Sequence, residues 1–276
     1  MTDQYAVIGN PVAHSKSPRI HAEFARQTGH DLTYEALPAP LDGFSDAVRA
    51  FRERGGKGLN VTLPFKQEAW RLADRREGFA LEAGAVNTLK FEAGALIGYN
   101  TDGVGLVRDL RDNLRRTLRA KRVLLMGAGG ASHGVMEPLL REQPQCLVVA
   151  NRTLEKAVEM VGHFEKFQSF AAEGIAARAY SELARSRFDV LINATSAGLA
   201  GAMPQLPESV FAADALAYDM VYGLETPFLR YARAHGARSV DGTGMLVEQA
   251  AESFFIWRGV RPQTAPVIAL LRSQNR

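Results

Sequence analysis

The sequence predicts an α/β fold in two domains, and three observations predict it. Short apolar, β-branched runs alternate with segments of helical periodicity along most of the chain, the pattern of mainly parallel sheets covered by helices. The alternation breaks near Asp102 at an Arg-rich stretch and then restarts. The restart is a buried run, Val123-Leu124-Leu125-Met126, leading directly into Gly127-Ala128-Gly129-Gly130-Ala131-Ser132 and a helical segment, as a doubly wound sheet begins.

In the first half, residues 5–9 read as a strand, followed by a turn and a helix from about Pro18. Ser17 is the expected N-cap of that helix, with Pro18 at its first position. Residues 33–37 and 58–62 read as further strands around the amphipathic stretch 44–54, and residues 85–91 with 96–100 as a short hairpin. From 108 to 122 the basic residues run among Val107, Leu110, Leu114 and Leu118, so an amphipathic helix with a solvated basic face is expected. In the second half, strands at 123–127, 147–151, 188–193 and 216–220 alternate with helices at 130–141 and 154–166. The segment 246–258 is strongly helical, and 266–273 forms a last helix. A boundary near Asp102 divides the chain into 1–102 and 103–240, and the closing helices suit either half.

Composition excludes several classes. The 276 residues are 46% hydrophobic and 23% charged, enough to bury a sizeable core. No apolar run approaches the length of a membrane span, and MTDQYAVIG lacks the basic-then-apolar pattern of a signal peptide. The lone cysteine, Cys146, has no intrachain partner and lies in the apolar run 146–150, so a buried structural thiol and a cytoplasmic setting are expected. The net charge of +3 comes with basic and acidic residues interspersed, without zinc-finger spacing or RNA-binding aromatics, so neither nucleic acid nor a metal is expected. A monomer or a homodimer suits the chain equally.

The glycine loop is expected to bind a dinucleotide, because phosphate reaches backbone N–H groups where no Cβ intervenes and the helix N-terminus favours an anion. A tight turn is the bland reading, and Ser132 occupies the third glycine position. About twenty residues later, where NAD enzymes place an acidic residue on the ribose, the chain has Asn151-Arg152-Thr153 with Lys156 a turn on. An arginine fork and a hydroxyl suit a 2′-phosphate, so NADP is the expected cofactor.

In the first half, Ser15 and Ser17 place two hydroxyls beside a helix N-terminus, a pocket for a carboxylate; turn and capping chemistry alone would also explain them. Asn60-Val61-Thr62-Leu63-Pro64-Phe65-Lys66, Gly84-Ala85-Val86-Asn87-Thr88 and Gly98-Tyr99-Asn100-Thr101-Asp102-Gly103 bring amides, hydroxyls, an amine and a carboxylate to chain turns. Together they suit a small polyhydroxylated acid.

The ordered runs GNPVAHSKSP, NVTLPFK, GAVNT, GYNTDG, GAGGAS, NRT, INATSAG, DMVYG with TPFL, and DGTGMLVEQAA resemble the motif series of shikimate dehydrogenases, from Gly9 to about Trp257. The resemblance implies an N-terminal α/β substrate-binding domain, rejoined by helices in 241–276, and a Rossmann-like NADP-binding domain. It implies NADPH-dependent reduction of 3-dehydroshikimate to shikimate in aromatic amino-acid biosynthesis. By that resemblance Lys66 and Asp102 are the catalytic pair. Ser15 and Ser17 hold the substrate carboxylate, and Thr62, Asn87, Tyr222 and Gln249 contact the carboxylate or ring hydroxyls. Gly127, Gly129, Gly130, Ala131 and Ser132 line the phosphate site, and Asn151, Arg152, Thr153 and Lys156 surround the adenosine phosphate. Ala194, Thr195, Ser196, Val221, Gly244 and Met245 lie along the nicotinamide. Ala22, His133 and Lys156 depart from the residues usual at their positions, and none of them removes a proposed catalytic group. Two rivals stand beside this reading. One is a broader quinate/shikimate dehydrogenase that also uses NAD, which Asn151-Arg152-Thr153 opposes. The other is a non-catalytic ligand-binding relative, which the retention of Lys66 and Asp102 opposes.

Overall fold

The computed structural model describes residues 2–273. Its first half contains the strands β1 (Asp3–Gly9), β2 (Leu32–Pro38), β3 (Gly56–Val61), β4 (Arg75–Glu77), β5 (Thr88–Glu92) and β6 (Ala95–Tyr99). They form one sheet in the order β2-β1-β3-β5-β6-β4. β1 runs parallel to β2 and β3, whereas β5 is antiparallel to both β3 and β6. The ends of β1, β3 and β6 and the entry to β5 therefore share one edge, which collects all four polar turns.

The helices of this half are α1 (Ser17–Thr28), α2 (Phe44–Glu53), α3 (Lys66–Leu72) and α4 (Ala80–Ala83). Phe44, Val48 and Phe51 of α2 recur at helical spacing and are buried against Leu59, Val61 and Leu89 of the sheet. On α1, Ile20 and Phe24 pack with Val247, Ala250 and Phe254 of α9 (Thr243–Arg258) and Val267 of α10 (Ala265–Ser273). The last two helices thus cover the first sheet.

The second half has the strands β7 (Arg122–Met126), β8 (Cys146–Ala150), β9 (Ile175–Arg178), β10 (Phe188–Asn193), β11 (Phe211–Asp219) and β12 (Arg238–Val240). All are parallel, in the order β12-β11-β10-β7-β8-β9, the doubly wound dinucleotide order read from either edge. Alternation along β7 shows why both faces are covered: Val123 and Leu125 enter one core, Leu124 and Met126 the other. The helices here are α5 (Asp102–Arg108), α6 (Gly130–Arg141), α7 (Leu154–His163) and α8 (Pro227–Ala234).

Two local expectations fail. The basic stretch 108–122 is not a helix. α5 widens into a π-turn at Asp109–Asn113 and ends, and Arg115 and Ala120 take positive φ of 55° and 58°. Leu110, Leu114 and Leu118 are buried all the same, because the chain wraps the core instead of continuing the helix. Several of its arginines have acidic partners, Arg108 with Glu252 and Arg111 with Asp112 and Glu142. Ser17 is also not an N-cap: Lys16 occupies that position and Ser17 is the first helical residue. The Ser17 N–H donates to Ser15 Oγ at 3.2 Å, so Ser15 supplies the oxygen expected of Ser17.

Candidate active site

At the shared edge of the first sheet, α3 begins at Lys66 and α5 begins at Asp102. Lys66 Nζ lies 2.5 Å from Asp102 Oδ2, with 26% and 11% of the two side chains exposed. The pair is mostly dry but open to one side. Asn87 Nδ2 donates to the other Asp102 oxygen at 2.8 Å and to Thr101 Oγ1 at 2.9 Å. Backbone bonds hold the geometry, since Val86 N–H donates to Lys66 O and Asn87 N–H to Tyr99 O. Asn100 Oδ1 accepts the Asp102 N–H at 3.1 Å, an Asx turn that aims the start of α5.

A second layer of polar groups lies beneath. Asn60 Nδ2 donates to Thr88 Oγ1 at 3.0 Å and to Ser253 Oγ at 2.9 Å, and its oxygen accepts the Tyr34 hydroxyl at 2.7 Å. Tyr34 is also hydrogen-bonded to Ser17, and burial pushes its phenol well above its ordinary value. Ser17 is thereby linked through Tyr34 and Asn60 to the Asn87 group. Gln249 on α9 brings Oε1 to 3.4 Å from both Asn87 Nδ2 and Thr101 Oγ1. Thr62 follows β3, and its methyl closes over Gly9, where a Cβ would collide with it. This contact and the Asn10 N–H bond to Leu63 O at 3.1 Å hold the Ser15 loop beside the Lys66 loop. Tyr222, on the loop after β11, is half-buried, and burial raises its phenol pKa.

The second sheet collects the remaining expected residues at its carboxyl edge. Gly127 has φ of +100°, which its lack of a Cβ permits, and Ser132 Oγ donates to Gly127 O at 2.8 Å, tightening the loop. Gly129 and Gly130 have open space where a Cβ would stand, at the N-terminus of the 12-residue α6. After β8, Arg152, Thr153 and Lys156 are exposed, and Asn151 Nδ2 donates to Thr153 O at 2.8 Å. After β10 and β11, Asn193 accepts from Thr195 N and Oγ1, Asp219 accepts from Val221 N and Thr226 Oγ1, and Asn193 donates to Asp219 at 3.0 Å. That buried knot places Ala194, Thr195, Ser196 and Val221 on adjoining loops. Gly244 and Met245 open α9, where Met245 N–H donates to Tyr218 Oη at 3.3 Å. A Cβ on Gly244 would collide with the fully buried Asp109, whose carboxyl burial pushes above its ordinary value.

The structure thus brings Lys66, Asp102, Asn87 and Gln249 into one cluster and the Ser15 and Thr62 loops to its edge. The residues expected at the phosphate, adenosine and nicotinamide gather at the carboxyl edge of the second sheet, and Tyr222 lies with them on the loop after β11. Sequence reasoning missed the supports. Asn60, Thr88, Asn100, Thr101, Asn193 and Asp219 lie in the motifs above without assigned roles, and Asp109 and Ser253 lie outside them. Cys146 is half-buried on β8 with its thiol pKa raised by burial, the opposite of an activated nucleophile. Among the described residues no helix is long and apolar enough to cross a membrane.

Comparison with known proteins agrees along the chain. Residues 7–89 match the shikimate dehydrogenase substrate binding domain, 109–201 the shikimate/quinate 5-dehydrogenase model and 242–272 the shikimate 5′-dehydrogenase C-terminal domain. The chain is 57% identical to shikimate dehydrogenase (NADP(+)) of Alkalilimnicola ehrlichii, over 99% of this chain and 100% of that one. It superposes on the Ael1 enzyme from Pseudomonas putida with a TM-score of 0.92 at 47% identity, covering 98% of each chain. It also superposes on the shikimate 5-dehydrogenase of Thermus thermophilus in complex with NADP(H) and shikimate, with a TM-score of 0.86 at 33% identity and 99% of each chain. With the motif order, the sheet topology and near-complete coverage in agreement, the chain belongs to the shikimate dehydrogenase family.

Proposed function

We propose that this chain reduces 3-dehydroshikimate to shikimate reversibly with NADPH. The observation that carries the reading is the Lys66–Asp102 pair, 2.5 Å apart and part-buried at the edge where the substrate turns converge. The residues present fit the dinucleotide: Gly129 and Gly130 are exposed at a helix N-terminus with open space where a Cβ would stand, and the exposed Arg152, Thr153 and Lys156 after β8 would hold a 2′-phosphate. When bound, the nicotinamide supplies the hydride. Lys66 Nζ donates a proton to the oxygen of the reacting carbonyl, so that no isolated alkoxide forms, and the same amine takes the proton back in oxidation. Asp102 holds that amine and orients a ring hydroxyl, and Asn87 fixes the carboxylate that does so. Ser15 and Ser17 hold the substrate carboxylate at the α1 N-terminus, with Thr62, Tyr222 and Gln249 closing on the carboxylate or ring hydroxyls. The remaining loop residues, Ala131, Ser132, Ala194, Ser196, Val221 and Met245, line the dinucleotide cleft. A cytoplasmic setting belongs to the same proposal.

The test follows NADPH absorbance after addition of dehydroshikimate, with NADH and quinate in parallel. Oxidation of NADPH by dehydroshikimate well above the other combinations is expected. Equal turnover of quinate would favour the broader dehydrogenase, and binding without turnover a ligand-binding relative.

A further inference from the structure

Helix α6 touches the proposed reaction centre with its backbone. A Cβ on Gly134, the fifth residue of α6, would lie 3.3 Å from Asn100 Nδ2, 3.4 Å from Asn100 Oδ1 and 3.6 Å from Asp102 Oδ2. One turn on, Pro138 lies against Gly103, where a Cβ would also fall 2.7 Å from Gly134 O. The start of α5 therefore rests on bare α6 backbone. Asn100, 4% exposed, is the wedge between them. Its amide donates to Ala85 O at 3.0 Å, its oxygen accepts the Asp102 N–H, and both amide atoms lie beside Gly134. The same helix carries Gly129 and Gly130 at its N-terminus.

We infer that Gly134 and Asn100 are positioning residues through which α6 sets the Asp102 carboxylate. The inference rests on the reading of Lys66 and Asp102 as the reacting pair. A methyl at 134 would press on the Asn100 amide nitrogen, which must yield by a few tenths of an ångström, with the amide oxygen at the edge of ordinary contact. Asn100 is anchored on its other side by Ala85, so the displacement passes to the Asp102 N–H and its carboxylate. A side chain merely filling space at 134 would disturb the loop or the fold instead.

The experiment reads Asp102 directly, by carboxyl ¹³C resonance in aspartate-labelled protein, with the signal assigned by its loss in Asp102→Asn. In Gly134→Ala the signal moves, NADP⁺ affinity by calorimetry stays at the wild-type value, and kcat falls on the order of tenfold, as small misplacements of reacting groups do. Gly134→Ala/Asn100→Ser, which makes room while keeping an oxygen for the Asp102 N–H, recovers part of both. An unmoved Asp102 signal in Gly134→Ala, or a kcat loss matched by an equal loss of NADP⁺ affinity, overturns the inference. Should Gly134→Ala fail to fold, Asn100→Ser alone must shift the signal at unchanged NADP⁺ affinity, and an unshifted signal overturns the inference. If wild-type protein does not turn over dehydroshikimate, the activity reading falls by itself, and the resonance still decides this one.

Discussion

Asp102 divides its two carboxylate oxygens between Lys66 Nζ, at 2.5 Å, and Asn87 Nδ2, at 2.8 Å. One oxygen thus holds the Lys66 amine while the other is tied to the fold. Lys66→Ala is expected to lower kcat by at least the roughly 10²-fold typical of losing an acid–base group, with little change in substrate Kd. Asp102→Asn should be similarly impaired, and the double variant should lose less than the sum, because groups acting as a unit are non-additive. Steady-state kinetics with calorimetric Kd values checks this. A folded Lys66→Ala enzyme with near-normal kcat at saturating substrate would sink the mechanism.

Ser15 and Ser17 separate now that neither side chain caps α1 in the expected way. Ser15→Ala should weaken shikimate binding and spare NADP⁺. Ser17→Ala should do the same and also lose the Tyr34 hydrogen bond, costing about 1 kcal/mol of stability. Titration and thermal melting resolve the two effects. Unchanged shikimate affinity in both variants would end the carboxylate-pocket assignment.

Arg152 is exposed beyond β8, so its removal leaves packing intact. Arg152→Ala should raise the NADPH KM and leave NADH use nearly unchanged, a loss of about 1.5–3 kcal/mol for a charge-assisted contact. Equal losses with both cofactors would make Arg152 structural.

Asp109 has its carboxyl raised by burial, with Tyr218 and Asn113 donating to it and partly opposing the rise. In the fold the neutral acid is favoured relative to the unfolded chain. Its contribution to stability is therefore complete below the unfolded value of about 3.9 and declines as pH rises from there through the raised folded value. Asp109→Asn should remove that decline, so the Tm difference between variant and wild type changes with pH over that window. A Tm difference constant from acid to neutral pH would mean that burial does not perturb Asp109.

How much was legible depended on whether the signal was local. The βα alternation and the strand-to-glycine-loop junction at Met126–Gly127 are local, and they lead to the doubly wound sheet. The Thr226–Pro227 start of α8, with Thr226 Oγ1 accepting from Leu229 N–H, was equally local but went unread. The basic stretch after Arg108 misled because apolar residues at helical spacing become buried whether the chain spirals or wraps. The short strands β4, β9 and β12 draw on neighbours for pairing and have almost no pattern of their own. Ser253 was invisible for a different reason. It sits among apolar residues on α9, and its partner Asn60 is 193 residues away in sequence; periodicity reports a face, never what the face meets.

Helix α9 has a consequence for the order in which the molecule comes into being. Its first turn is tied to Tyr218 of the second sheet, and its second and later turns reach Asn87, Thr101 and Asn60 of the first. During synthesis the first sheet leaves the ribosome long before this helix, yet its buried amides at Asn87 and Asn60 lack their last partners until Gln249 and Ser253 follow. A nascent chain ending before Thr243 lacks the contacts that α9 supplies to both sheets, so competence for ligand arrives late and in both halves together.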